Sequence, residues 1–595
     1  MSFQNFSASA DPSQGPTRLQ ALRKRLAAEG LDGFIIPRAD AHQGENVAPR
    51  DDRLQWLTGF TGSAGFCIVL PDVAGVFIDG RYRTQVKTQV DLAHFTPVPW
   101  PDIKPGPWIA DHLEQGRIGF DPWLHTPDEI AAIERALEGL AITLCPTANM
   151  VDAIWPDQPA PPMGRAFVHP DALAGKTSAQ KRTDLGAQLQ EAGQGAAIIT
   201  LPDSLCWLLN IRGRDVPRTP VLHGFSILFA DGRVSLFTAP EKLDEATRAH
   251  LGDQVTIRPA AAFVPALRSL QGPVRVDRAT APLAVSLELN EPAWGDDPCR
   301  LPKACKTDAE IAGARAAHLR DGAAMVEFLC WLEDEAPKGQ LTEIDVVQKL
   351  ESCRRATNQL HDLSFDTICG AGEHGAIMHY RVTDESNRPV TPGALLLVDS
   401  GAQYVDGTTD ITRTMAIGPI PAGGAEAFTR VLQGMIALSR ARWPNGLSGR
   451  DLDPIARYPL WLAGMDFNHG TGHGVGAFLS VHEGPQRISR MSEVALRPGM
   501  IVSNEPGYYR EGAFGIRLEN LIVVTPAAKL LDDRDQLCFE TLTFVPFDRR
   551  LVDLTMLAPG ERDWLNAYHA EVASKIAPLV SAPAAEWLAR ACAPL

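Results

Sequence analysis

The apolar run Ala394–Val398 reads as a buried strand, and Thr408–Ile417 reads as a second one. Asp399 closes the first run and Asp410 lies near the start of the second. Their midpoint falls between Tyr404 and Val405, so a hairpin centred there sets the two carboxylates side by side, while Asp406-Gly407 favours a slightly later turn. Met500–Asn504 and Ile516–Val524 repeat the arrangement: Glu505 and Glu519 flank a glycine-containing stretch whose midpoint is Gly512. Between the two pairs, Ala425–Arg442 and Leu452–Ala463 carry helical spacing. HGTGHGVG (469–476) follows, too glycine-rich for a stable helix but able to bring backbone, and His473, close to a site. Upstream, Thr307 with Glu310 forms a capping box that opens a helix running to about Asp334, and Thr342 with Asp345 opens another. The pattern predicts an α+β domain, a curved sheet with helices packed on one side.

The first half repeats itself weakly. LRKRLAAEGLDGFIIPRADAH (22–42) and LGAQLQEAGQGAAIITLPDSL (185–205) both read as a helix, a glycine turn and a short apolar strand. Each is followed by a tryptophan segment, LQWLTGF (54–60) or LCWLLNI (205–211). A strand pair comes next, GFCIVLPDVAGVFID (65–79) or GFSILFADGRVSLFT (224–238). Two similar α/β domains are predicted, joined by the proline-rich stretch 156–166. We divide the chain at 1–157, 167–300, 301–538 and a tail, 539–595, that packs on the third domain or on a second subunit.

Asp399, Asp410, His473, Glu505 and Glu519 are four hard carboxylates and one imidazole, which two divalent cations would balance. Brought together without metal they would repel one another. Any one of these motifs alone is an ordinary turn or glycine loop; their joint occurrence beside strand-like segments makes them a candidate two-metal ligand set. Of 15 histidines, six fall in the windows 361–379 and 469–482.

These segments resemble the pita-bread metallopeptidase family, in particular its long, three-domain aminopeptidase P branch. The resemblance extends to LTGFTGSAG (57–65), FIDGRYRTQ (77–85), WLLNIRGRD (207–215), RDGAAMVEFLCWLE (320–333) and FETLTFVPFDRRLVD (539–553), and no ligand position departs from it. It implies two creatinase-like α/β amino-terminal domains before a pita-bread catalytic domain. It implies a metal pair, manganese by family habit, with Asp399 and Asp410 on one ion, Asp410, His473 and Glu505 on the other, and Glu519 bridging. The implied reaction is hydrolysis of the bond before a penultimate proline by a metal-activated water, with Glu505 as proton shuttle. His379, His469 and His482 match the family's active-site histidines, and Arg517 matches an arginine that orients the carboxylates. A homodimer is also implied. Arg81 and Arg212 lie in family-like segments; a substrate-entrance role and a structural ion pair both remain open. His361 and His374 are given no role, and packing suffices for His250, His318 and His569. The alternatives are a prolidase acting on Xaa-Pro dipeptides, against which the long front half argues, and a non-catalytic binding protein, against which the intact ligand set argues.

Composition narrows the rest. With 45% hydrophobic and 22% charged residues the chain is of ordinary globular type. A net charge of −16 argues against nucleic-acid partners. The ten cysteines contain no CxxC pair, which fits free thiols in a reducing compartment. The start lacks the regions of a signal peptide, and no apolar stretch reaches membrane-spanning length, so a cytoplasmic location is expected; that its substrates are peptides with a free amino terminus is what the resemblance implies.

Overall fold

A computed structural model describes residues 3–531 and 533–595. The chain forms two compact units, Ser9–Arg300 and a second comprising Leu301–Leu595 together with the first eight residues.

The unit Ser9–Arg300 holds two six-stranded sheets of the same topology. In the first, Gly33–Pro37 lies inside the sheet, antiparallel to Phe66–Val69 and parallel to Gln115–Phe120. In the second, Ala196–Ile199 takes the same place, antiparallel to Phe225–Phe229 and parallel to Val274–Val276. In both, the antiparallel neighbour pairs with a further antiparallel strand, Ala74–Ile78 or Val234–Phe237, which is followed by a parallel edge strand. The weak repeat in the sequence is therefore a duplicated fold. Each copy opens with a helix, Gly15–Ala28 or Ser178–Glu191, that buries leucines against the sheet. Gly232, at φ +83°, closes the Asp231-Gly232 turn.

In the catalytic unit, Asp308–Glu335 starts at the reciprocal Thr307/Glu310 capping box and Glu343–Ala356 at Thr342/Asp345, as the sequence predicts. Gly424–Ser439 and Gly449–Trp461 are the two helices between the acid-bearing strand pairs. Val326, Val346, Phe428 and Leu460 share one buried cluster with Leu396, Val398 and Ile516 from the strands. One sheet runs Ile368–Ala371, Ala394–Ser400, Ile411–Ile417. The larger runs Arg442–Pro444, Gln536–Thr541, Asn520–Pro526, Ile501–Asn504, Gly472–Gly474, Glu483–Ile488. From the tail, Leu565, Val572, Ile576 and Leu588 join the same cluster, so the helices Pro559–Ile576 and Ala582–Ala591 close the catalytic core. The expected first domain, 1–157, loses its first eight residues to this unit, because Phe6 is buried in the catalytic core.

Candidate metal centre

Strand register aims the acids at one place. Ala394–Ser400 pairs with Ile411–Ile417 so that Asp399 faces Thr412 and Ser400 faces Ile411. The inner pair, Tyr404 opposite Gly407, puts the turn at Val405-Asp406, one step later than the midpoint and one step short of a turn on Asp406-Gly407, so neither expected centre is met. Asp410 thus stands diagonally across from Asp399 rather than directly opposite it. The second pair follows the predicted centre: Asn504 faces Asn520 and Gly507 faces Arg517, a register symmetric about Gly512, whose φ is +71°. Glu505 and Glu519 therefore leave adjacent strands at the same level.

His473 comes from a three-residue strand wedged between neighbours. A Cβ on Gly472 would lie 1.9 Å from the Ser503 carbonyl oxygen, and one on Gly474 2.2 Å from that of Glu483. Only glycines let the imidazole sit this near the acids. Its Nε2 lies 3.5 Å from Asp410 Oδ2 and 3.4 Å from Glu505 Oε1. Donor atoms of Asp410, His473 and Glu519 all fall within 4.8 Å of one another.

Other side chains hold these candidate ligands from behind. Arg517 donates from Nη2 to Asp399 Oδ2 at 2.5 Å and from Nε to Thr412 Oγ1 at 3.2 Å. The Thr412 hydroxyl donates to Glu519 Oε2 at 2.8 Å. Ser503 Oγ donates to Glu505 Oε1 at 3.0 Å and accepts the His473 backbone N–H at 2.9 Å. After these bonds, Asp399 Oδ1, Asp410 Oδ1 and Glu519 Oε1 are buried without a hydrogen-bond partner among the described residues. Three orphaned carboxylate oxygens around one imidazole are costly unless cations take them. The residues present fit a pair of divalent metals.

The protonation of the metal-free protein agrees. Burial, then the Asp410 and Glu505 charges, outweigh Arg517 and push Asp399 up to about 6. Burial likewise raises Glu505 and carries Glu519 well above the usual carboxylate range. Burial opposes a charge on His473, yet Asp410 and Glu505 lift its imidazole to about 9. Protons here compensate the charge that metal would compensate.

The other expected histidines divide. The His482 ring lies 4.2 Å from that of His473, edge to face, and its neighbour Glu483 is gripped by buried Lys303 at 3.0 Å and Lys306 at 2.7 Å. His469 places Nδ1 3.9 Å from Glu505 Oε2. His379 is half-buried on the turn after Met378, whose carbonyl accepts from Arg517 Nη2 at 3.3 Å. His361 packs against Phe478, and His374 bonds Glu343 at 2.9 Å. His250 and His318 bond the carbonyls of Leu209 and Ala314, and His569 accepts from the Phe547 N–H. In the other unit, Arg81 pairs with Asp79 at 2.7 Å, and Arg212, 1% exposed, donates to the carbonyls of Cys206 and Ile211. Both arginines have structural partners.

One residue escaped the sequence reading. Arg517 Nη1 donates to Tyr509 Oη at 2.6 Å, which leaves the tyrosine proton for His469 Nε2 at 2.9 Å; His469 Nδ1 lies 2.7 Å from the Gly470 carbonyl oxygen. Burial pushes the Tyr509 hydroxyl up to about 12, so it remains a donor. A directed chain thus links Asp399, Arg517, Tyr509 and His469. Tyr509 lies in the conspicuous SNEPGYY, but tyrosine is common in strands and nothing local marks it as a hydrogen-bond relay.

The chain is similar to known proteins along its whole length. Residues 312–526 match metallopeptidase family M24, 18–154 and 157–310 match the creatinase/prolidase N-terminal domain, and 535–595 match the C-terminal region of the M24 peptidases. Aminopeptidase P2 of Arabidopsis thaliana is 39% identical, over 96% of this chain and 87% of its own length. This chain belongs to metallopeptidase family M24. A probable Xaa-Pro aminopeptidase P of Tuber melanosporum is 37% identical, over 97% of this chain and 99% of its own. The crystal structure of X-prolyl aminopeptidase from Caenorhabditis elegans, described as a cytosolic enzyme with a di-nuclear active site, superposes with a TM-score of 0.94. It shares 35% identity, covering 98% of this chain and all of that one. Dipeptidase PepE of Mycobacterium ulcerans reaches a TM-score of 0.50 at 25% identity and covers only 64% of this chain.

Proposed function

We propose that this chain is an Xaa-Pro aminopeptidase, releasing the first residue from peptides whose second residue is proline. The observation that carries it is the end-to-end likeness to aminopeptidases P combined with an acid-and-imidazole cluster whose buried oxygens call for two cations. A prolidase reading accounts for less of the chain, as the shorter dipeptidase covers only 64% of it.

In this reading Asp399 and Asp410 would hold one metal, Asp410, His473 and Glu505 the other, and Glu519 would serve both. Manganese suits a set of four carboxylates and one imidazole. When bound, such ions polarise the scissile carbonyl and make water a nucleophile near neutral pH. Glu505 takes the water proton and returns it to the departing ring nitrogen. His379 and His482 contact the substrate carbonyl and backbone, where charge develops, while His469, with both ring nitrogens bonded, positions Glu505 from 3.9 Å away. Arg517 and Thr412 fix the faces of Asp399 and Glu519. Proline's ring nitrogen carries no N–H in a peptide bond, so peptidases that grip that donor fail; nothing in this arrangement needs it.

We further propose a cytoplasmic homodimer. No helix among the described residues is long and apolar enough to cross a membrane. Tyr458, Trp461 and Leu462, on and just past the end of the helix Gly449–Trp461, are 59%, 42% and 67% exposed, an apolar patch suited to a second copy. The domain proposal becomes 9–157, 167–300, 301–538 and 539–595.

A mass-spectrometric peptide panel tests the activity on manganese-loaded protein. Xaa-Pro-Yaa and longer peptides should lose one residue, and N-acetylated or proline-free controls should stay intact. Cleavage of Xaa-Pro dipeptides alone would favour the prolidase reading, and preference for Met-Ala termini would overturn both.

A further inference from the structure

Phe3–Phe6, more than 350 residues distant in sequence, lie against the segment that carries His379, within the same compact unit. Gln4 is 2% exposed, and its side-chain amide takes both backbone groups of Thr367. Its Oε1 accepts the Thr367 N–H at 2.8 Å and its Nε2 reaches the Thr367 carbonyl at 3.5 Å. The Gln4 backbone N–H donates to Glu351 Oε2 at 3.0 Å. The Asn5 carbonyl accepts from Arg381 Nη2 at 2.8 Å, and the Phe6 carbonyl accepts the Asp384 N–H at 2.8 Å. The Phe6 ring, 8% exposed, belongs to the catalytic core, and the Phe3 ring lies 4.6 Å from the Arg355 guanidinium.

These contacts hold the segment Thr367–Asp384 at both ends. At one end, Thr367 precedes Ile368, the strand partner of Asp399. At the other, Arg381 and Asp384 lie two and five residues past His379. His379 itself sits between them on a turn outside any helix or strand. Next to it, the Met378 carbonyl accepts from Arg517 and the Tyr380 hydroxyl donates to Glu343, and the contacts of Phe3–Phe6 add to these anchors at the outer flanks of the segment. A glutamine buried this deeply is costly unless its amide is satisfied, and here the amide is satisfied by main-chain groups of the segment itself.

We propose that Phe3–Phe6 is a strap that positions His379, with Gln4 and Phe6 as the positioning residues. The proposal rests on His379 acting on the substrate, as argued above. Gln4 sets the strand end beside the metal ligand strand, Phe6 anchors the strap in the core, and the Asn5 and Phe6 carbonyls hold the chain just after His379. Loss of these contacts leaves the metal ligands in place and lets the imidazole wander, and a displacement of about 1 Å costs a catalytic group up to about a hundredfold in rate.

The test uses full-length, metal-loaded protein with Gln4→Ala, Phe6→Ala, the double variant and the conservative Phe6→Leu. Metal content should stay at the wild-type value while kcat on Xaa-Pro-Yaa peptides falls between about tenfold and about a hundredfold, with Phe6→Leu recovering most of it. Adding Gln4→Ala to His379→Ala should cost nothing further, since the strap acts through that ring. Amide exchange at 377–384 should quicken in the strap variants whether or not substrate is present. Unchanged kcat with unchanged exchange overturns the strap, and so do losses that simply multiply with those of His379→Ala. Should the wild-type protein prove inactive on proline peptides, the functional reading fails by itself. Exchange then decides the strap: quickened exchange sustains it and unchanged exchange overturns it.

Discussion

Asp410 stands between the two halves of the proposed ligand set, near His473 on one side and diagonal to Asp399 on the other. Asp410→Asn should therefore lose most activity and bound metal together, read by metal analysis of the active fraction; two retained metals with near-normal turnover would contradict the sharing. His469 separates ligand from catalyst. His469→Ala and Tyr509→Phe should both keep metal, and Tyr509→Phe should lower kcat by about five- to a hundredfold, since it leaves His469 and Arg517 short of a partner, at a cost of about 1–3 kcal/mol. Loss of metal in His469→Ala would show that the two histidines of HGTGH have been exchanged. The same residues set a pH dependence. Asp399 rises from 3.8 to about 6 in the folded protein, so raising pH through that interval costs the metal-free fold stability. His473 rises from 6.5 to about 9, a contribution present below 6.5 and lost as pH climbs through 9. Both shifts have one sign: metal binding must expel protons, and its stabilising effect should grow with pH. Melting temperatures of loaded and metal-free protein from pH 5 to 9 should diverge, and a constant gap would contradict the protonation described above.

At the scale of elements, glycines decide how closely the strands approach. Gly472 has no room for a methyl against the Ser503 carbonyl, at 1.9 Å, and backbone cannot yield as a side-chain tip can. Gly472→Ala should pry Gly472–Gly474 from Ile501–Asn504, cost at least about 1–3 kcal/mol of stability and loosen metal binding through His473. Calorimetry with metal titration checks it; wild-type melting and affinity would mean that the strand shifts freely. The elements themselves were largely legible. Thr307/Glu310 and Thr342/Asp345 start their helices where local chemistry places them, because a cap is satisfied within four residues. The Glu505/Glu519 centre on Gly512 was legible for the same reason. The turn between Asp399 and Asp410 was not fully so, because Asp406-Gly407 and the simple midpoint compete and only the inner pair, Tyr404 with Gly407, settles the register.

At the scale of the molecule, the duplicated topology of Ser9–Arg300 and the tail helices buried in the catalytic core account for the chain's length beyond a minimal peptidase. The exposed Tyr458, Trp461 and Leu462 are the apolar surface we assign to a second copy. The proposed dimer predicts a dimeric mass for the wild type and a monomeric one for Trp461→Glu in light scattering after size exclusion; a monomeric wild type would refute the dimer, and an unchanged dimeric mass in the variant would place the interface elsewhere. The helix bearing this patch also holds the histidine loop: Arg457 donates to the carbonyls of Phe467 and His469, and Asp453 accepts from Thr471. Activity of the monomer reports on that connection.

The chemistry lay in the sequence alone, because five ligand-type side chains each stand next to a strand end or glycine run, and such local signals survive without tertiary context. The repeat, the capping boxes and the glutamate register belong to the same class. Tertiary structure decided what depends on partners distant along the chain. Tyr509 becomes a relay only because Arg517 and His469 arrive on either side of its hydroxyl. Arg81 and Arg212 prove to have structural partners only once the neighbours of their guanidinium groups are known. Gln4 and Phe6, unremarkable in a polar leading stretch, become part of the catalytic unit through contacts spanning more than 340 residues, which no local pattern encodes.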